Sequence, residues 1–428
     1  MAYPCLCAEA GHWRASYSRT TGVRFFMPND SLSQAKSAKN DEFYTQYADI
    51  EAEMNAYVEY DHDVFRDKTI LLPCDDPEWS NFTKYFAANF ERFGLRKLIS
   101  TSYARGAGNL QLTLFEEMSP LYDAALHETR GKLFTLIRDT DGSGRIDTDD
   151  LEFTGYLEGD GDFRSPEVCR LRDEADIVIT NPPFSMFREF LAWLMEGKKK
   201  FIIIGNINVI TYKEAFPLLK DNVMWLGYSI HSGDRKFNVP EDYPLEAAGC
   251  GIDPDGRKFI RVKGVRWFTN MEHGGRHEFL QFDTMAHNLK YNKSLKKKLE
   301  SDFGVAEYPH YDNYDAIEVP FTECIPSDYY SPMAVPVTFL DFYNPEQFEI
   351  LGYTAKDMGV DCLVFYKDLE QSLNGGPFIR NMKSARYSPM IAVPDLPHKT
   401  CYRASNVKGY LLKSYGRIII RRKKGGDA

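Results

Sequence analysis

Ala175–Val209 reads ADIVITNPPFSMFREFLAWLMEGKKKFIIIGNINV, and this stretch decides the fold. Ile177, Val178 and Ile179 form a short run that is apolar on both faces, as a central parallel strand requires. Asn181-Pro182-Pro183-Phe184 stops that strand, because two prolines remove two ladder donors and push the preceding residue out of helical space. Ser185 is then the expected N-cap. Met186, Phe187, Phe190, Leu191, Leu194 and Met195 recur at helical spacing and give one apolar face. Phe201–Ile204 is the next buried strand. Ligands of open α/β sheets bind at the carboxyl ends of strands, which is where Asn181–Phe184 falls.

Those four residues suit chemistry on an aromatic amine. The exocyclic nitrogen of a nucleobase is a poor nucleophile, since its lone pair is delocalised into the ring. Two acceptors aimed at its two N–H groups pull the nitrogen toward sp3 and localise the pair. The Asn181 side-chain oxygen is one such acceptor, and the Pro182 carbonyl, in a backbone stiffened by Pro182 and Pro183, is the other. Phe184 offers a flat face to a base swung out of a duplex. No strong general base is needed, so the catalysis is positioning and preorganised electrostatics. The plain alternative is loop punctuation, with Phe184 in the core.

Around this turn the chain resembles the EcoRI-type adenine-specific DNA methyltransferases. The resemblance runs from about Asn40 to Arg422 through NDEFYTQ, LPCDDPEWSNF, GDGDFRS, ADIVITNPPFS, IGNINVITYKEAFPL, WFTNM and VPVTFLDFYNPEQFEILG. It implies transfer of a methyl group from S-adenosylmethionine to adenine N6 in double-stranded DNA, with Asn181, Pro182, Pro183 and Phe184 as the catalytic motif IV. Tyr44 and Thr45 correspond to motif X, beside the methionine end of the cofactor. Pro73, Cys74, Asp75 and Asp76 stand at the motif I strand end without a Gly-x-Gly. Asp162 and Phe163 correspond to motif III, the acid on the cofactor adenine and the ring against it. No acid follows the second strand at Thr101-Ser102-Tyr103, which shifts the ribose contact toward Asp75 or Asp76. Asn206, Trp267 and Phe268 are the candidates to line the target-base pocket.

The expected fold is α/β: a Rossmann-like methyltransferase sheet with a late antiparallel hairpin, plus a mixed, β-rich C-terminal region. Gly264–Met271 and His277–Phe282, flanking Glu272–Arg276, read as that hairpin. Residues 1–38 lack periodicity and read as a disordered or loosely attached leader, with Met27 as an alternative start. Residues 39–291 form the methyltransferase domain, in which 109–158 is an insertion. Residues 292–428, aromatic and finally basic, form the target-recognition region.

Composition narrows the class. Eight scattered cysteines without a Cys-x-x-Cys pair suit a reducing cytoplasm, and no apolar run approaches a membrane span. The net charge of −10 argues against DNA taken alone, but Arg380–Lys424 holds twelve Lys or Arg against one acid, Asp395. Such a face holds phosphates. Within the insertion, Asp139, Asp141, Ser143, Asp147 and Asp150 match a calcium-loop spacing, yet Asp150 is too short for the usual bidentate Glu and the flanks look like strands. An acidic hairpin tip is the better reading, and no metal is expected.

Three other readings stay open: methylation of a different planar amine or amide (RNA adenine, cytosine N4, protein glutamine), a calcium-binding module, and a catalytically silent DNA-binding protein. Tyrosine is more usual at the Phe184 position in the cytosine and glutamine enzymes, which disfavours those two. A cognate restriction endonuclease acting separately is the expected counterpart, or else the enzyme sets an orphan epigenetic mark.

Overall fold

The structure, a computed structural model, describes residues 43–424 apart from 75–79, 105–120, 128, 232, 240–242, 244, 246–248 and 381–386. The expected leader, the alternative start at Met27, and Asp75 and Asp76 lie outside the described residues.

A mixed eight-stranded sheet organises the first two-thirds of the chain. Its strands are β1 (Thr69–Leu72), β2 (Lys97–Thr101), β3 (Lys132–Leu136), β4 (Glu152–Tyr156), β5 (Ile177–Thr180), β6 (Lys200–Asn206), β7 (Trp225–Leu226) and β8 (Val265–Thr269). They lie in the order β4-β3-β2-β1-β5-β6-β8-β7. The four central strands, β2, β1, β5 and β6, are parallel; β8 runs antiparallel between β6 and β7, and β3 and β4 fold back beyond β2. All four parallel strands therefore open their carboxyl ends on one edge, and Asn181–Phe184 follows β5 there.

Side-chain alternation divides the sheet between two cores. Ile70, Leu72, Ile177, Ile179, Ile202, Ile204 and Trp267 face one way, with the helices Tyr47–Tyr60 and Asn81–Ala88 packed on them through Ile50, Met54, Phe82 and Phe86. Leu71, Val178, Phe201, Ile203 and Phe268 face the other way, onto the helix Phe187–Glu196. This second core runs without a break into the C-terminal third, through Leu295, Val319, Phe339, Phe348 and Ile420.

The β5-to-β6 connection forms as its sequence directs, except at its start. Phe184–Met186 is a 3-10 turn closed by Met186 N–H on the Pro183 carbonyl at 2.9 Å, and the α-helix begins only at Phe187. Ser185 is therefore inside the turn and is not the cap. The described part of the insertion carries a β3–β4 hairpin with the acidic segment at its tip.

The late hairpin is not formed as expected. β8 is present, but its partners are β6 and β7, and 277–282 is not a strand. Arg276 is buried over the Trp225 ring, its guanidinium carbon 3.5 Å from the centroid, and donates to Asn222 and Glu272. That anchor turns the chain away from β8. The backbone beyond it bonds to side chains instead: Gln347 takes the Leu280 N–H at 2.7 Å and donates to its carbonyl at 3.0 Å, and Asn344 donates to Glu278.

Two smaller sheets build the C-terminal third. One orders Ile317–Glu318, Met333–Val335, Ile418–Arg422 and Phe348–Tyr353; the other orders Ile379–Arg380, Glu370–Ser372, Cys401–Arg403, Tyr410–Lys413 and Met390–Val393. A further sheet pairs Tyr44–Thr45 with Asp234–Asn238, followed by Lys258–Lys263 and Cys250–Ile252. No helix among the described residues is long and apolar enough to cross a membrane.

A buried ion pair joins the large sheet to the C-terminal third. Arg266 on β8 donates Nε to Asp341 Oδ1 at 2.6 Å and Nη2 to Oδ2 at 3.0 Å, and also bonds the carbonyls of Val265 and His231. The two side chains are 4% and 2% exposed. Burial pushes the Asp341 carboxyl up, and Arg266 pulls it back. Asp341→Ala strands the guanidinium in the interior, and urea unfolding should show a loss of about 3–5 kcal/mol. A loss under about 1 kcal/mol contradicts this role for the pair.

Candidate active site

At the open edge, Asn181 follows β5 and its amide is fixed from a distant part of the chain. Asn181 Nδ2 donates to the Phe43 carbonyl at 2.5 Å. A carbonyl only accepts, so the NH2 end must face Phe43 and the oxygen must point away. That oxygen, Oδ1, is buried and has no hydrogen-bond partner among the described residues. An unpaired buried acceptor costs free energy and calls for an explanation. A ligand that donates an N–H supplies one.

Phe184 is half-buried at the same edge, in edge contact with Phe43 (centroids 5.7 Å apart) and Phe237 (6.4 Å). Phe43 touches Phe237 and Tyr243 in turn. These rings form one wall, with Phe237 on the strand that pairs with Thr45 and Phe43 just before it.

The segment 43–46 is strapped on a second side. Asn81, first residue of the helix Asn81–Ala88, donates Nδ2 to the Thr45 carbonyl at 2.6 Å. Ser80 caps that helix by accepting from the Phe82 and Thr83 N–H groups. One short segment is thus tied both to the helix after β1 and to the turn after β5. Asn81 was missed in the sequence; its residue type beside a capping serine carries no signal of a partner 36 residues away. Among the described residues, Thr45 Oγ1 and Gln46 Nε2 are both buried without a partner. A hydroxyl and an amide NH2 left open beside the strand ends fit the carboxylate and ammonium of an amino-acid ligand. Of the motif I candidates, Pro73 is buried and its carbonyl accepts from Thr101 Oγ1 at 3.2 Å, while Cys74 is half-buried.

The 159–162 loop docks against the end of β2. Ala104 N–H donates to the Asp160 carbonyl at 2.7 Å, and Gly161 lies so close that a Cβ would stand 2.1 Å from Ser102 O. Gly161 has φ +87°, so glycine is required twice over. Asp162 is gripped by Arg164, Nε to Oδ1 at 2.9 Å and Nη2 to Oδ2 at 2.5 Å, and this hydrogen bond holds its carboxyl below the ordinary range. Two oxygens offer about four acceptor positions, so a further donor still fits. Partial burial, then the nearby Asp160 carboxylate, raises the Tyr103 phenol. The fold therefore brings an acid, Asp160, to a strand end whose own sequence has none.

Several expected site residues are placed elsewhere. Trp267 and Phe268 are 1% and 0% exposed, on opposite faces of β8, against Phe82 and Phe187 respectively. Neither ring has a face open to a base. Asn206 caps the turn after β6, accepting from Asn208 N–H and donating to the Lys263 carbonyl. Phe163 is buried against Phe190 and Trp193. In the acidic tip, carboxylate oxygens of Asp139, Asp141 and Asp150 lie within 4.8 Å of one another, but Ser143 bonds Arg145 and Asp147 caps Thr148–Asp150. Backbone N–H groups already serve Asp139 and Asp150.

The basic C-terminal count also changes meaning. Arg403 pairs with Glu370, Arg417 with Glu318, Arg421 with Glu349 and Arg380 with Asp368. Four of the twelve cations are thus paired within the described residues.

Comparison with known proteins bears on this edge. The family model described as adenine-specific methyltransferase EcoRI matches residues 31–423. Type II methyltransferase M.EcoRI of Escherichia coli is 41% identical over 338 residues, 78% of this chain and 93% of its own. Type II methyltransferase M.MpnI of Mycoplasma pneumoniae is 31% identical over 360 residues, covering 83% and 95% of the two chains. Type II methyltransferase M.MgeORF184P of Mycoplasma genitalium is 32% identical over 334 residues, covering 78% and 86%. No solved structure matches. With a model matched over nearly its whole length, the chain belongs to the EcoRI family of adenine-specific methyltransferases, enzymes whose methyl donor is S-adenosylmethionine.

Proposed function

We propose that this protein methylates N6 of an adenine swung out of double-stranded DNA, with Asn181 Oδ1 and the Pro182 carbonyl as the two acceptors for the amine. The observation that carries the reading is the buried, unpaired Asn181 Oδ1, held in orientation by the Phe43 carbonyl. S-adenosylmethionine supplies an electrophilic methyl group. The protein's own part is to hold N6 and localise its lone pair. Each N–H of the amine meets one acceptor, the ring lies against Phe184, and the surplus proton leaves to water after the new bond forms. Pro182 and Pro183 keep the turn from relaxing.

The cofactor would be held by Tyr44, Thr45, Pro73, Cys74, Asp75, Asp76 and Asp162, with Asp160 a further candidate for the ribose hydroxyls. Phe163 would then act from beneath the site. The eight-stranded sheet is the Rossmann-like platform, and residues 292–428 are the DNA-recognition region. The enzyme acts in the cytoplasm, where the DNA is. Its role is protection beside a cognate endonuclease or an orphan mark.

Radiolabelled methyl transfer to plasmid DNA, followed by nucleoside analysis, tests the reaction: N6-methyladenine is expected, and its absence across varied DNA sequences rejects the reading. Asn181→Ala should lower turnover by about two to three orders of magnitude, as for loss of a preorganised polar contact, with cofactor affinity by calorimetry within about threefold. Unchanged turnover removes Asn181 from the acceptor role.

Asn81 is a positioning residue in this scheme, acting through Thr45. Asn81→Ala leaves a backbone acceptor unpaired, so calorimetry should show S-adenosylmethionine bound about tenfold more weakly. Turnover should recover at saturating cofactor. Unaltered affinity, or a fall in turnover that saturation does not restore, contradicts the strap.

A further inference from the structure

The first turn of the helix Phe187–Glu196 carries a cation that the fold leaves unpaired. Arg188 is exposed, and among the described residues it makes no ion pair and no hydrogen bond. Its guanidinium carbon lies over the Tyr212 ring, 5.4 Å from the centroid. A positive charge at a helix N-terminus opposes the macrodipole, so helix stability does not account for it. The neighbouring acid does not neutralise it either, because successive helical residues do not face each other. Glu189 acts on Arg164 instead, adding to the Asp162 hydrogen bond that raises the pKa of that guanidinium.

The backbone fixes this cation beside the catalytic turn. Arg188 is four residues past Phe184, and the 3-10 turn and helical start between them rise only about 6–8 Å. Phe187 pins the same turn to the end of β6: a Cβ on Gly205 would stand 2.4 Å from its ring, and Phe268 touches it at 5.3 Å. Tyr212 comes from that strand end too. It follows the 3-10 helix Ile207–Thr211 and closes it with its N–H on the Val209 carbonyl at 2.9 Å. The Tyr212 side chain is half-buried, so its ring is a firm seat for the guanidinium. The pair thus lies on the β6 side of Asn181–Phe184, with its charge open to solvent.

Such a pair suits a phosphodiester. A guanidinium is a planar fork of donors that matches phosphate oxygens, and it can rest one face on an aromatic ring while its edge stays free. A nucleotide whose base lies against Phe184 has its two phosphates one sugar away from that base. We propose that Arg188, braced by Tyr212, grips a phosphate flanking the target adenine on its own strand and holds the swung-out nucleotide by its backbone. This rests on the reading that the enzyme swings an adenine out of a duplex. The grip carries no sequence information; it sets where the nucleotide sits. Tyr212 is a positioning residue that acts through Arg188.

The test uses the full chain and its target duplex, mapped by sequencing methylated plasmid, with an uncharged methylphosphonate replacing the phosphate on one side or the other of the target adenine. Arg188→Gln should weaken binding of the unmodified duplex about tenfold and reduce the slope of log Kd against log salt by about one. At one of the two positions the methylphosphonate should bring wild type down to the level of Arg188→Gln, and cost that variant no more than about twofold further. Tyr212→Leu should weaken binding about threefold on its own and add nothing in the Arg188→Gln background. Calorimetry should show S-adenosylmethionine affinity unchanged in Arg188→Gln, which separates a lost phosphate contact from a disturbed fold. Unchanged duplex affinity in Arg188→Gln, a wild type indifferent to the methylphosphonate at both positions, or losses that multiply at both would each overturn the grip. A Tyr212→Leu loss that persists without Arg188 overturns the brace. A wild-type enzyme that methylates no duplex removes the underlying reading, and the grip with it, before any variant is compared.

Discussion

The hydrogen bond from Asn181 Nδ2 to the Phe43 carbonyl is the constraint on which the rest of the active edge depends. Its net contribution to stability is modest, about 0.5–1.5 kcal/mol. In the proposed reaction its effect is larger, because it selects one of two amide orientations that differ only in which end points away from Phe43. With the bond in place an acceptor faces outward; with the amide turned, a donor would repel the N–H groups of an amine. Leaving Oδ1 buried and unpaired costs about 1–3 kcal/mol in the free enzyme. A fold carries such a defect where a ligand repairs it.

The Phe43 carbonyl is itself held by architecture. Tyr44 and Thr45 pair with Asn238 and Phe237 of a small sheet outside the main one, and Asn81 fixes the Thr45 carbonyl from the helix after β1. Through this segment the helix Asn81–Ala88 and the turn at Asn181 share a support, so a shift in one moves the other. The C-terminal third is joined to the same frame by a continuous apolar core and by the buried Arg266–Asp341 pair on β8. The C-terminal third and the sheet that carries Asn181 therefore form one packed body.

How much of this was legible depended on whether the signal was local. The strand Ile177–Thr180, the prolyl turn and the amphipathic helix could be read because periodicity and proline act within a few residues. The acidic hairpin was legible for the same reason. The Phe43–Asn181 bond spans 138 residues and has no local trace, and neither has the meeting of Asp160 with the end of β2. Trp267 and Phe268 misled because both are large aromatics on a strand of the expected sheet; their burial follows from β8 lying between two other strands, which no local pattern reports. Glu272–Arg276 carries genuine turn residues, but Arg276 stacked on Trp225 sends the chain elsewhere. In the basic tail a count of lysines and arginines leaves out the carboxylates that some of them find in three dimensions, as Arg403 finds Glu370 and Arg417 finds Glu318.

The most direct test of the central claim is a crystal structure with the target duplex and an S-adenosylmethionine analogue that lacks a transferable methyl group. The account predicts the target adenine out of the helix against Phe184, with Asn181 Oδ1 about 2.7–3.2 Å from N6 and Asn181 Nδ2 still on the Phe43 carbonyl. An Asn181 amide turned with its NH2 toward N6, or an adenine bound away from Asn181 altogether, would contradict it.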